Sequence, residues 1–117
     1  MSGDHEEVLL SVDSVLNIFA LANGLDLFRN QSEVPDRTLE WYREGMERRI
    51  LIRAEGPDRF VITVAASRRR GGVPIEASRP LRPALGADEL REGLRTLLAE
   101  GVDAANGLTE ADLPTEE

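Results

Sequence analysis

The chain has 117 residues, enough for one domain with a real core and too few for two ordinary ones. It contains no cysteine, which excludes disulfides, thiolate nucleophiles and cysteine-ligated metals, and no apolar run of the roughly 18 residues that a membrane span needs. The net charge of −8 disfavours non-specific binding to nucleic acid or anionic membrane, but it is unevenly spread: residues 1–28 hold five acids and no Arg, residues 100–117 six acids and no Arg, and the stretch between them fourteen Arg against eleven acids.

The chain starts Ser2-Gly3-Asp4-His5-Glu6-Glu7, without the basic-then-apolar order of a secretory signal, so a cytoplasmic location is expected. Asp4 and Glu7 have capping-box spacing, and Val8, Val12, Val15, Leu16 and Phe19 follow at helical intervals. With Asn23-Gly24 as a left-handed stop, this predicts a helix over residues 5–22. A short strand over Glu7 to Val12, followed by a helix capped by Asp13, is the competing parse. Leu25 to Arg29 is a short strand or a linker, and the turn-rich residues 30–36 form a surface loop. Thr38 to Glu44 reads as a strand, with Leu39, Trp41 and Arg43 on one side and Thr38, Glu40, Tyr42 and Glu44 on the other.

Arg48 to Arg70 is the clearest pattern in the chain. Ile50, Ile52 and Ala54 alternate with Arg49, Leu51, Arg53 and Glu55. After the break Glu55-Gly56-Pro57-Asp58, residues Phe60, Ile62, Val64 and Ala66 alternate with Arg59, Val61, Thr63, Ala65 and Ser67. A period of two turns alternate side chains to opposite faces, so this is a β-hairpin with one buried side. Arg68 to Gly72 is a basic loop, and Val73 to Ser78 supplies a further strand that Pro80 and Pro83 end, since proline has no donor for the ladder. Gly86-Ala87-Asp88 opens a second helix with a stripe of Leu90, Leu94, Leu97, Leu98, Val102 and Ala105. Gly93 and Gly101 each weaken it by roughly 1 kcal/mol relative to Ala, and Asn106-Gly107 ends it.

The fold expected is α+β: an antiparallel meander of three to five strands bracketed by an N-terminal and a C-terminal helix, in one domain over 1–107. An acidic tail, 108–117, is expected to be frayed. The order helix, strands, helix is shared in shape with small bacterial chaperone-like and immunity-type modules, with no residue motif behind the likeness.

The sheet face away from the helices would carry Arg49, Leu51, Arg53, Val61, Thr63 and Ala65, too apolar for an ordinary wet face and too charged for a core. Tyr42 joins it as an interface candidate, since its ring buries area while its hydroxyl stays solvated. Trp41, with Leu39, is expected in the core. Arg68, Arg69, Arg70, Arg79 and Arg82, with only Glu76 among them, form a candidate patch for an anion or an acidic partner. The simpler readings of that patch are a solvated hairpin loop that blunts an edge, or an internal site for the acidic tail. It has no interleaved aromatics on which bases would stack. His5 is the only histidine and cannot make a zinc site alone, and the Glu40/Glu44 pair lacks a surrounding motif for acid–base chemistry. No catalytic, cofactor or metal residue is expected, and the chain reads as a non-enzymatic protein-interaction module or self-associating protein. Alternatives are a nucleic-acid or nucleotide binder through Arg68 to Arg82, and a metabolite binder or small enzyme with a pocket between helix and sheet.

Overall fold

A computed structural model describes residues 4–30, 34–56 and 58–114, with side chains from residue 7 onward. The elements run α1 (Asp4–Asn23), β1 (Asp26–Asn30), β2 (Asp36–Arg43), β3 (Met46–Gly56), β4 (Arg59–Arg70), β5 (Val73–Pro80) and α2 (Ala87–Asn106), followed by a 3₁₀ turn, Glu110–Asp112. The five strands form one antiparallel sheet in sequence order, so the fold is α+β, with a meander between two helices. Residues 7–12 are helical, which settles the competing parse for the longer helix. His5 lies on α1 with its side chain outside those described, as is that of Asp4.

Both helices lie on the same side of the sheet, α1 over β1, β2 and β3, and α2 over β3 and β4, with the two helices touching. The alternation of the central hairpin sets this up. Ile50, Ile52 and Ala54 of β3 and Phe60, Ile62, Val64 and Ala66 of β4 are all buried on the helix side. Val8, Leu9, Val12, Leu16 and Ala20 of α1, and Leu90, Leu94, Leu97, Leu98 and Ala105 of α2, close over them. Each buried Val, Leu, Ile or Phe among them contributes roughly 1.5–3 kcal/mol by leaving water, and each Ala less. Val15, Phe19 and Val102, expected in the two stripes, are only partly covered at the margin.

The tight turns follow from their residues. Glu44-Gly45 and Gly71-Gly72 join β2 to β3 and β4 to β5 as two-residue loops with positive φ at both central positions, the type I′ requirement. Asp58, in the turn between β3 and β4, accepts the Ala87 N–H at 2.7 Å, placing a carboxylate at the N-terminus of α2, while Glu89 accepts the Gly86 N–H at 3.0 Å.

The C-terminal segment differs from the frayed tail predicted from 108. Leu108 and Leu113 are buried against Met46 and Ala66 in a second, smaller cluster beyond the end of α2. Asp112 accepts the Thr109 N–H at 2.7 Å and closes the 3₁₀ turn. The physical reason is the spacing of two leucines in a segment whose acidic composition hid them. Residues 115–117 fall outside those described.

Candidate functional site

With both helices on one side, the opposite face of the sheet has no layer over it. The strand register places its side chains in cross-strand rows. Phe28, Thr38, Leu51, Thr63 and Pro80 form the central row. Asn30, Asp36, Arg53 and Val61 lie on one side of it, and Asp26, Glu40, Arg49, Ala65 and Ser78 on the other. Six of the seven residues that the sequence singled out for this face, Arg49, Leu51, Arg53, Val61, Thr63 and Ala65, therefore share one continuous surface. Tyr42, 72% exposed, sits at its end on β2 opposite Glu47.

Leu51, Val61 and Thr63 are half-covered by neighbouring side chains, and Phe28 stands out from β1 with 52% of its surface exposed. Phe28 was missed in the sequence because Leu25 to Arg29 is too short for its alternation to be read. Arg49 reaches across β4 to pair with Glu76 of β5, so that Ala65, between them, is only 3% exposed. Arg53 has no ion pair among the described residues and points its charge at solvent.

The candidate basic patch is divided. Arg68 pairs with Glu110 at 2.5 Å, so the C-terminal segment folds back onto it. Arg69 donates to the Gly72 carbonyl at 3.0 Å within its own hairpin. Arg70 ends β4, opposite Val73. Arg79 lies opposite Val64, roughly 15–20 Å along the ladder from that hairpin. Arg82 is beyond β5, paired with Glu100 of α2. A shallow depression of about 290 Å³ lies where Tyr42, Glu47, Arg68, Arg69 and Pro74 meet. Glu40 is on the open face, while Glu44 lies in the following turn, so the two do not converge.

Two buried arginines escaped the sequence reading. Arg37 of β2 is fully buried, donating to both carboxylate oxygens of Asp13 on α1 at 2.7 and 3.2 Å, and to the Asp36 carbonyl at 2.9 Å. Arg48 of β3, 3% exposed, donates to the carbonyls of Arg43 at 3.1 Å, Ala105 at 2.5 Å and Leu108 at 2.8 Å. Helix α2 has no basic residue in its last turn, so Arg48 supplies from the sheet the cation that a helix C-terminus favours. The strand period placed position 48 on the inner side with Ile50 and Ile52. Residue type alone argued against it, and that disagreement was the available signal.

Helix α1 also bears apolar groups on its outer side. Leu10, Ile18 and Leu21 are exposed, and a groove of about 210 Å³ between the helices is lined by Val15, Ile18, Phe19, Ala22 and Arg95. The indole N–H of Trp41 donates to Asn106 Oδ1 at 2.9 Å, tying β2 to the end of α2.

The fold and this surface define the class: a small α+β domain whose sheet is covered on one side only. No family model matches the chain, and neither a curated protein nor a solved structure is significantly similar to it. Among the described residues, no helix is long and apolar enough to cross a membrane.

Proposed function

We propose that this chain is a non-enzymatic protein-interaction module that binds another polypeptide through the open face of its sheet. The observation that carries the reading is the row Phe28, Thr38, Leu51 and Thr63, flanked by Val61, on the side opposite both helices. An antiparallel sheet can leave a polar face in water, but a face carrying Phe28, Leu51 and Val61 gains hydrophobic free energy when a second layer covers them. The charged rim of Arg49, Arg53, Asp36 and Glu40 provides orientation rather than bulk affinity. The engagement of Arg68 by Glu110 and of Arg82 by Glu100 reduces the charge free for an anion, which favours this reading over a nucleic-acid or nucleotide site.

The absence of cysteine makes the test clean. A single Thr63→Cys, carrying a photo-crosslinker, places the probe on the open face, and Glu92→Cys on α2 places it on the far side. The face probe is expected to capture a protein in cells at a yield well above the helix probe. Equal capture from both positions, or none from Thr63→Cys, would overturn the reading.

A further inference from the structure

Resting on that reading, we infer that the occupant of the open face is a second copy of this chain, paired face to face about a two-fold axis that runs parallel to the strands between β2 and β3. On the three central rows the charges are separated by strand: Asp26 on β1 and Asp36 and Glu40 on β2 are acidic, while Arg49 and Arg53 on β3 are basic. One row further on, Glu47 of β3 lies beside Tyr42, so that Tyr42 would face the Glu47 of the second copy. Rotation about such an axis keeps each cross-strand row at its own height and reverses its left-to-right order. Strand β2 of one copy then lies over β3 of the other, and β1 over β4.

The register makes the outcome specific. Asp36 shares a row with Arg53, and Glu40 shares a row with Arg49. After the rotation Asp36 faces Arg53 of the second copy and Glu40 faces its Arg49, and each of these pairs occurs twice. In the central row Thr38 meets the other Leu51, and the exposed Phe28 ring lies over the other Thr63 beside Val61. This is the isologous self-complementarity that a two-fold interface requires. Aligned sheets cross at about 30°, which displaces the Asp36–Arg53 row by about 3 Å, within the reach of an arginine side chain. The four strands involved give a footprint of roughly 19 by 26 Å, about 500 Å² in projection before side-chain relief is added. Stable interfaces use about 800 Å² of accessible surface per partner, so the dimer belongs at the modest, micromolar end. Strand β5 stays outside the overlap, and its Glu76 remains beside Arg49.

The test is sedimentation of the purified chain between about 1 and 500 µM, the span that brackets a micromolar dimer. The wild type is expected to dimerise. Asp36→Arg and Arg53→Asp are each expected to weaken the dimer by at least about tenfold, because each sets like charges against each other in the homodimer. An equimolar mixture of the two variants restores the dimer, since both facing pairs are then opposite in sign. Rescue in the mixture cannot come from either variant's own fold. Thr38→Cys gives a second readout, joining to itself through a short bis-maleimide across about 11 Å, a distance set by the sheet separation and one strand spacing. A wild type that stays monomeric throughout, single variants that dimerise as the wild type does, or a mixture that fails to recover would overturn the inference. If the chain is monomeric while the Thr63→Cys probe still captures a different protein, the self-pairing fails and the interaction-module reading stands.

Discussion

Arg37 and Arg48 are both withdrawn from water, but for different partners, and their substitutions separate the two effects. Arg37 and Asp13 form a two-pronged pair between β2 and α1, with Arg29 3.6 Å from the same carboxylate. Replacing Arg37 with Met leaves a nearly buried carboxylate with only that longer, exposed contact. The expected loss is about 3–5 kcal/mol in urea denaturation. Replacing Asp13 with Leu at the same time removes the stranded charge, so the double variant should lose less than the sum of the two single losses. Arg48 instead satisfies three carbonyls, two of them at the end of α2 and just past it. Arg48→Met leaves them facing an apolar chain, at a cost of about 2–4 kcal/mol. Arg48→Lys should recover only part of this, because one compact ammonium cannot span the positions that the guanidinium fork reaches. At this scale the sequence was least legible. A buried arginine looks like any other arginine until its acceptors, 57 and 60 residues away, are brought to it by the fold.

At the scale of elements most of the architecture could be read beforehand, because helix stripes and strand alternation are local. The central hairpin and the helix boundaries near Gly24 and Gly86 follow from short-range rules. Pro80 does not end the ladder as expected: β5 includes it, opposite Thr63, and the Leu81 N–H still donates to the Ile62 carbonyl at 2.8 Å, because proline at the edge of a sheet gives up a donor that would point to solvent. What local pattern lacks is the distance between elements, and the two glycines of α2 show this. Both looked like equal weaknesses in a helix. A Cβ on Gly93 would meet nothing closer than Leu97 Cδ1 at 3.6 Å, an ordinary contact, whereas one on Gly101 would lie 2.9 Å from Ile50 Cδ1. Gly93→Ala should therefore stabilise the protein by about 0.5–1 kcal/mol, while Gly101→Ala should destabilise it. Ile50→Val removes the nearest of the clashing atoms, so it should cost less in the Gly101→Ala background than alone, a difference measurable by thermal melts of the four variants. The β2–β3 turn makes a related case. Glu44 holds φ at 54°, a conformation that Asn adopts more readily, and Glu44→Asn should add about 0.5–1 kcal/mol without altering any contact of the core.

For the whole molecule, the question is whether the open face belongs to the stability of one chain or of an assembly. The sequence showed that this face is mixed in character. It did not show that both helices choose the other side, because an amphipathic helix specifies only that it has an apolar face to bury. Association that binds only the folded chain stabilises it by mass action, so melting temperature becomes a function of protein concentration. A dimer of this size of chain should gain about 3 °C for each tenfold rise in concentration above its dissociation constant. Leu51→Asp with Val61→Asp places four charges into the paired surface and should abolish that dependence while leaving the helical circular dichroism intact. Both positions are half-open in the single chain, so the dilute melting temperature should move by only a few degrees, unlike the loss of a core leucine. A wild-type melting temperature independent of concentration would mean that the face stabilises no self-assembly, and its apolar row would then have to be matched to a different chain. A large loss at every concentration in the double variant would instead make the face part of the folding core.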